Sequence, residues 1–452
     1  MGTKPQKFSG GVHPHEHKLT AAQAIENMPA PARAIFPVSQ HIGAPARPVV
    51  AIGDHVLRGQ VIAEACGFVS VPIHSSISGE VVAIGDFPHL LGRPIMAIVV
   101  ENDGKDEEVE YTPANPATLT PDQIKKRITA GGLVGMGGAT FPTHVKLSPP
   151  PEKPIDTVIL NGAECEPFLT ADHRTMLEMP DDLLAGMDII MKALGVTRGL
   201  IGIENNKPDA IALLGKKAEK YPNIEVIGLH VQYPQGSEKH LIKSLTGREV
   251  PPGKLPMDVK VVVQNVTTAV MVYNAVTLGK PVMDRVITVS GFSIKNPKNV
   301  RARIGTPFYE VIDFCGGLKD DVSKVVAGGP MMGMAQFTLS VPVIKGTSGI
   351  LGLPPQMVQD VAPRACVRCA RCVDSCPMGL MPNELVDAVD AKDWEKAEQL
   401  GILSCIECGS CAYACLGKRP IVQVLKSGKA EVMKMRQKRD AEKKRLEEEA
   451  KK

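Results

Sequence analysis

Cys366, Cys369, Cys372 and Cys376 stand as C-x-x-C-x-x-C-x-x-x-C, with Pro377 directly after them. After 28 intervening residues the same spacing returns as Cys405, Cys408, Cys411 and Cys415. Three thiolates on one tight loop can bind three irons of a cubane, and the fourth ligand then comes from the other run. The spacing therefore predicts two [4Fe–4S] clusters. One is held by Cys366, Cys369, Cys372 and Cys415, the other by Cys405, Cys408, Cys411 and Cys376. A zinc site needs only four sulfurs, usually as two separated pairs, and would leave the third cysteine of each run idle. Disulfides suit short secreted chains, and this sequence is long and shows no signal-peptide pattern. The second run has Leu416 where the first has its proline. Between the runs, Asn383 is placed to cap a helix over 384–390 and Asp393 a second one ending at Gly401, so the cluster module is expected to be helical.

The whole chain sets limits on what surrounds these cysteines. Its 452 residues imply several domains, and 44% hydrophobic with 22% charged residues is ordinary for a soluble protein. No apolar run approaches the length of a membrane span. Eleven cysteines, eight of them in the two runs, suit a reducing compartment; Cys66, Cys165 and Cys315 remain. The net charge of +3 is unevenly spread, because residues 426–452 hold eleven Lys/Arg against six Asp/Glu. The body is thus slightly acidic, which argues against nucleic acid as a partner. The tail has almost no apolar stripe and is expected to be a solvated helix or disordered, with docking to a partner or an anionic lipid surface as the other reading.

A second chemistry-bearing stretch begins where a helix capped by Thr120 and opened by Pro121 runs out at Gly131. Five glycines fall within eight positions: Gly131, Gly132, Gly135, Gly137 and Gly138. Such a loop has bare N–H groups that can approach a phosphate or a flat ring. Hydrophobic strands at 156–160, 200–204, 225–229 and 259–264 alternate with helices at 181–195, 209–220 and 239–246, the pattern of a mostly parallel sheet. The strand ends deliver Asn161-Gly162-Ala163-Glu164-Cys165-Glu166-Pro167, Tyr233-Pro234-Gln235-Gly236-Ser237-Glu238 and Asn265-Val266-Thr267-Thr268 to one edge. Ligands bind there in α/β sheets.

Two further units flank this sheet. Residues 1–40 read as loop; His13, His15 and His17 alternate there and are given no role. From 48 to 100, short β-runs separated by Gly-Asp, Gly-Gln and Ser-Gly pairs resemble a biotinyl/lipoyl-like β sandwich. Gly67 stands where a carrier domain of that kind has its lysine, so no swinging cofactor is expected. Beyond the central sheet, alternating Val286, Thr288 and Ser290, a helix at 307–314 and Gly328-Gly329-Pro330-Met331-Met332-Gly333 suggest a β-grasp-like module. The expected fold is multidomain α/β. Its parts are an amino-terminal region with the sandwich (1–115), a Rossmann-like α/β domain with the strand-end loops (116–285), the β-grasp-like module (286–350), a helical two-[4Fe–4S] ferredoxin domain (351–425) and a charged tail (426–452).

The segments Gly135 to Lys146, Asn161 to Pro167, Tyr233 to Glu238 and Asn265 to Thr267 appear in the same order as in the NADH- and FMN-binding subunit of respiratory complex I. With the sandwich before them and the cluster pair after, residues 5–425 resemble the C subunits of Rnf complexes, the membrane-bound ferredoxin:NAD+ oxidoreductases. The resemblance implies non-covalent FMN touched by Gly135, Gly137, Gly138, Lys146, Asn161, Glu164, Asn265 and Thr267. It implies nicotinamide-side contacts from Phe141, Glu166, Gly236 and Glu238. Met136, Ala163 and Ser237 depart from the complex I pattern, which has arginine, aspartate and glutamate there, and so remove polar contacts around the flavin.

The resemblance further implies a peripheral subunit on the cytoplasmic face of a bacterial membrane. Its partners would be the other Rnf subunits, including a ferredoxin-like iron–sulfur subunit, with ferredoxin met indirectly and NAD(H) as substrate. A hydride carries two electrons and a cluster takes one, so a flavin belongs between them. Two alternatives stay open at this point. One is an electron-transfer module without catalysis; the other is the flavin subunit of a soluble hydrogenase or formate dehydrogenase.

Overall fold

The computed structural model describes residues 5–358 and 362–449. Eight short strands precede residue 103: β1 (Ile25–Asn27), β2 (Arg33–Pro37), β3 (Arg47–Pro48), β4 (His55–Val56), β5 (Val61–Glu64), β6 (Ile73–His74), β7 (Gly79–Pro88) and β8 (Pro94–Asn102). Seven of them build two small sheets, β2-β8-β7-β4 and β3-β5-β6. Phe36, Val56, Ile62, Val81, Ile98 and Val100 fill their common core. β3 covers only Arg47 and Pro48, and Val49 and Ile52 beyond it are exposed. Gly67 lies on the β5–β6 turn with open space where a side chain would be. Residues 1–40 are not all loop, since β1 and β2 fall within them. β1 joins a distant sheet, in parallel with a strand some 270 residues later, so its partner left no local signal.

The central unit opens with α1 (Pro121–Ala130), where Thr120 caps the helix as the sequence indicated and the Gln123 side chain reciprocates by accepting from the Thr120 N–H. A short helix α2 (Thr143–Lys146) follows the glycine stretch. Then β9 (Thr157–Gly162), α3 (Ala171–Glu178), α4 (Pro180–Leu194), β10 (Gly199–Glu204), α5 (Pro208–Ala218), β11 (Ile224–Leu229), α6 (Glu238–Thr246), β12 (Val261–Asn265) and α7 (Val266–Tyr273) alternate. All four strands are parallel, in the order β11-β10-β9-β12. Val158, Ile159 and Leu160 are fully buried, as a strand covered on both faces requires. The strand order reverses between β9 and β12, so a crevice opens beyond their carboxyl ends. Gly186 on α4 lets that helix close on the Ala269 carbonyl of α7, where any side chain would collide.

The next module holds β13 (Asp284–Ser290), β14 (Lys298–Arg303), α8 (Phe308–Phe314), β15 (Lys324–Ala327), β16 (Met334–Ala335) and β17 (Gly349–Leu353). With β1 they form one sheet, ordered β1-β14-β13-β17-β15-β16, over a core of Ile287, Val289, Val300, Phe308, Val311 and Ile350.

The cysteine region is helical: α9 (Arg371–Asp374), α10 (Pro382–Asp390), α11 (Trp394–Gln399), α12 (Ser410–Ala414) and α13 (Ile421–Glu449). Asp393 caps α11 by accepting from the Lys396 N–H. Asn383 does not cap α10. Pro382 takes the first helical position, which its missing N–H and fixed φ favour, and that moves Asn383 inside the first turn. The tail forms one helix to residue 449. Ile421, Leu425 and Val432 bury against α10, while its outer end is exposed and paired through Arg436 and Arg439 to Glu398. Among the described residues, no helix is long and apolar enough to cross a membrane.

Candidate functional site

Four expected segments meet at the crevice beyond β9 and β12. The glycine-rich loop is closed at its neck by the Gly135 N–H donating to the Phe141 carbonyl at 2.9 Å and by a bridge between Val134 and Pro142. Its middle is anchored where the Met136 N–H donates to the Thr268 hydroxyl at 2.9 Å. Gly137 lies against Asn265: a Cβ there would sit 3.1 Å from Asn265 Nδ2. Gly138 has φ +66° and faces open space. The Asn265 side chain caps α7 by accepting from the Thr267 N–H, and its Nδ2 donates to Asp172 at 2.7 Å. The Thr267 hydroxyl donates to the other Asp172 oxygen at 2.8 Å. Asp172 was not anticipated. An acidic residue in the first turn of a helix is too common a feature to single it out.

Asn161 Nδ2 donates to the Gly236 carbonyl at 2.8 Å, and the Gly236 N–H points to Cys165 Sγ at 3.3 Å. These contacts join the β9 loop to the β11 loop. Burial holds the Cys165 thiol well above its usual range, so it stays neutral. Lys146 Nζ donates to Glu238 at 2.9 Å and to the Val263 carbonyl at 3.1 Å. One residue expected on the flavin and one expected on the nicotinamide thus form a single ion pair.

The backbone after β9 is held by two buried ammonium groups. Lys18 donates to the carbonyls of Glu164, Glu166 and Leu169 at 2.8, 2.9 and 2.7 Å. Lys207 donates to the Ala163 carbonyl at 2.7 Å. Their turn directs the two glutamates to opposite tasks. Glu164, in a left-handed conformation with φ +47°, caps α3 by accepting from the Asp172 and His173 N–H groups. Glu166 accepts from the Met331 and Met332 N–H groups at 3.0 and 2.9 Å, with the Tyr233 hydroxyl at 3.4 Å. Burial raises each carboxyl to about 7, against the pull of Lys18 on Glu164 and of the Met331 and Met332 N–H groups on Glu166. Glu166 is therefore engaged with the Gly329–Met332 turn.

The eight cysteines sort into two cavities. Cys376, Cys405, Cys408 and Cys411 line one, together with Pro377, Ile406, Val422 and Leu425. Cys366, Cys369, Cys372 and Cys415 line the other, beside Val386, Leu416 and Ile421. Each cavity takes three cysteines from one run and one from the other.

The first cavity adjoins the crevice loops. The Tyr233 hydroxyl donates to the Cys408 carbonyl at 2.7 Å, and Val12, Tyr233 and Cys408 share a small buried cluster with Cys165, Met331 and Ile406 around it. His240 Nε2 meets the Pro377 carbonyl at 3.0 Å. The Gly11 N–H donates to the Ser375 carbonyl at 2.9 Å. On the second cavity's wall, Cys366 and Cys369 are exposed.

The residues present fit the groups that they were expected to hold. Four sulfurs and largely apolar walls in each cavity suit a cubane. On β12, both side-chain amide atoms of Gln264, the residue before Asn265, are buried without a partner among the described residues, and at the crevice Gly138 leaves room for a flat or anionic group. Residues 128–274 match the Nuo51 FMN-binding domain family, and 360–416 match the 4Fe-4S dicluster domain family. Residues 6–105 match the RnfC barrel sandwich hybrid domain family and 286–335 the SLBB domain family. A solved NAD+-reducing [NiFe]-hydrogenase covers 68% of this chain and 63% of its own at 20% identity and a TM-score of 0.48, too loose a likeness to weigh.

Fold and site together define a multidomain flavin and iron–sulfur protein of electron transfer, with FMN and two [4Fe–4S] clusters as its cofactors. Over 94% of its length the chain is 50% identical to the C subunit of the proton-translocating ferredoxin:NAD(+) oxidoreductase complex of Clostridium ljungdahlii, of which it covers 94%. It is 45% identical over 97% of its length to the Na(+)-translocating counterpart of Acetobacterium woodii, of which it covers 100%. It is 43% identical over 94% to the C subunit of the ion-translocating oxidoreductase complex of Rhodobacter capsulatus, of which it covers 84%. The chain belongs to the family of C subunits of ion-translocating, Rnf-type ferredoxin:NAD+ oxidoreductases.

Proposed function

We propose that this chain carries electrons between NAD(H) and a ferredoxin-like iron–sulfur subunit, as the peripheral NAD(H)-side member of an Rnf-type complex on the cytoplasmic face of the membrane. The complex would couple ferredoxin oxidation and NAD+ reduction to ion transport, as its relatives' names describe for them. The observation that carries this reading is one shared wall. Tyr233, which opens the β11 loop at the crevice, is hydrogen-bonded to the Cys408 loop. The flavin site and the Cys376/Cys405/Cys408/Cys411 cavity therefore adjoin. The second cavity, with exposed Cys366 and Cys369, is turned to the surface where a partner can deliver electrons.

When bound, FMN exchanges an electron pair with a nicotinamide and single electrons with the clusters. In this reading the N–H groups of Gly135, Gly137 and Gly138 with Lys146 receive the phosphate end, and Asn161, Glu164, Asn265 and Thr267 frame the flavin. Phe141, Gly236 and Glu238 border the nicotinamide side. The crossed pairing of cysteines gives each cubane its four thiolates, supported by the two cavities they line. The four units are read as a biotinyl/lipoyl-like sandwich without a carrier lysine, a Rossmann-like domain, a β-grasp-like module and a helical ferredoxin domain. Anaerobically prepared protein should contain about eight iron and eight acid-labile sulfide per chain. One FMN should be released by acid. Half that iron, or an acid extract without flavin, would contradict the reading.

A further inference from the structure

We propose that Arg285 is a positioning residue of the flavin site, one that holds the glycine-rich loop by the Met136 carbonyl and keeps a fixed positive charge behind it. The proposal rests on the FMN reading above and adds a residue from a strand of the six-stranded sheet that follows the parallel one. Arg285 stands on β13, yet its Nη2 donates to the Met136 carbonyl at 2.8 Å, in the middle of the loop that also carries Gly135, Gly137 and Gly138. Its Nε donates to the Thr347 carbonyl at 3.1 Å. The side chain is only 2% exposed, and Nη1 is buried with no partner among the described residues.

Among the described residues, no carboxylate pairs with this guanidinium. Asp172 and Asp284 act on it only through space, because Asp172 is bonded to Asn265 and Thr267, and Asp284 to Arg301. Burial lowers its pKa to about 10, which leaves it charged at neutral pH. A buried cation satisfied by two neutral carbonyls is costly unless something negative offsets it. Loop anchoring alone does not demand a permanent charge, and the same loop shows the comparison. Lys345 donates to the Gly132 carbonyl at 2.7 Å and to the Pro72 carbonyl at 2.8 Å. Burial pulls its pKa down to about 7, so it can anchor while partly neutral. Arg285 cannot give up its proton in the same way.

A fixed charge in low dielectric behind the Gly137–Gly138 backbone favours negative charge arriving or developing in the crevice. Two parts of FMN meet that description: the phosphate, and the ring once it is reduced. The guanidinium does not have to touch either, since it acts through Met136 and through the field.

The test compares full-length, cluster-loaded Arg285→Lys and Arg285→Met with wild type, by FMN and riboflavin dissociation constants and by the midpoint potential of bound flavin. Arg285→Met should weaken FMN binding about tenfold, or lower the two-electron midpoint by the same factor, about 30 mV. Arg285→Lys, which keeps the charge, should recover most of that loss. Weakening confined to FMN and absent with riboflavin would assign the effect to the phosphate; a lowered midpoint would assign it to the ring. Unchanged affinity and midpoint in Arg285→Met overturns the proposal. So does equal impairment of the two variants, whether or not flavin is retained, because charge would then be irrelevant. If wild-type protein holds no flavin at all, the FMN reading fails instead.

Discussion

The hydroxyl of Tyr233 and the carbonyl of Cys408 are 2.7 Å apart, and this hydrogen bond joins the crevice loop to the loop of a cluster cysteine. Burial drives the Tyr233 phenol far above its usual pKa, so it remains a neutral donor. Tyr233→Phe leaves the buried carbonyl without its donor, at a cost of about 1–3 kcal/mol. Iron and FMN content should stay at wild-type levels. The EPR signal of the Cys405-run cluster should shift while that of the other cluster does not. A change confined to the Cys366-run cluster would mean that the neighbouring cluster has been misidentified.

Crossed cluster ligation gives opposite expectations for two cysteines close in sequence to the wrong run. Cys376→Ala opens the cavity lined by Cys405, Cys408 and Cys411, and Cys415→Ala opens the one lined by Cys366, Cys369 and Cys372. Each variant should lose or convert one cubane, about four of eight irons at most. EPR of Cys376→Ala should retain the cluster of the Cys366 run. Loss of that cluster instead would assign all four cysteines of each run to their own cube.

Gly137 lies so close to Asn265 that even a methyl group would press on its amide. Gly137→Val adds branching at Cβ and narrows the backbone approach. FMN stoichiometry should fall to a small fraction of wild type while iron content is unchanged, since the clusters occupy other cavities. Full flavin retention in this variant would remove the loop from the site.

Glu166 carries a pH signature. Its folded pKa of about 7 lies above the ordinary glutamate value of 4.5. The protonated carboxyl is therefore favoured by folding, and its contribution is full below pH 4.5 and lost as pH rises through 7. Glu166→Gln should flatten that part of the stability profile, with Glu164 left to supply the remainder. A glutamine has one acceptor oxygen for two N–H groups, so the turn of Met331 and Met332 should loosen and cleave faster in limited proteolysis. FMN and iron should remain, and NADH affinity should change as the turn opens. An unchanged pH profile together with unchanged proteolysis would contradict the role of Glu166 in holding the Met331–Met332 turn.

Local patterns carried much of this architecture. Cysteine spacing, the Thr120 cap and the hydrophobic runs of β9 to β12 each act within a few residues, and they reappear as elements close to where the sequence indicated. Long-range partners were not legible. Lys18 reaches Glu164 across 146 residues, and Arg285 reaches Met136 across 149. Neither lies in a motif, because each serves a backbone carbonyl and any carbonyl would do. Glu166 was visible as a polar strand-end residue, but the turn in another module whose N–H groups it accepts was not. At Asn383 two local signals competed, and Pro382 one residue earlier prevailed.

The most direct test is steady-state NADH oxidation by the isolated, flavin-replete chain with an artificial one-electron acceptor. Wild-type protein should turn over. A variant lacking Cys366, Cys369 and Cys372 should turn over as well, because the dye can take electrons at the flavin, yet it should fail in ferredoxin-dependent NAD+ reduction by the assembled complex. Absence of NADH turnover from flavin-replete wild-type protein would contradict the central claim and leave a chain that only relays electrons.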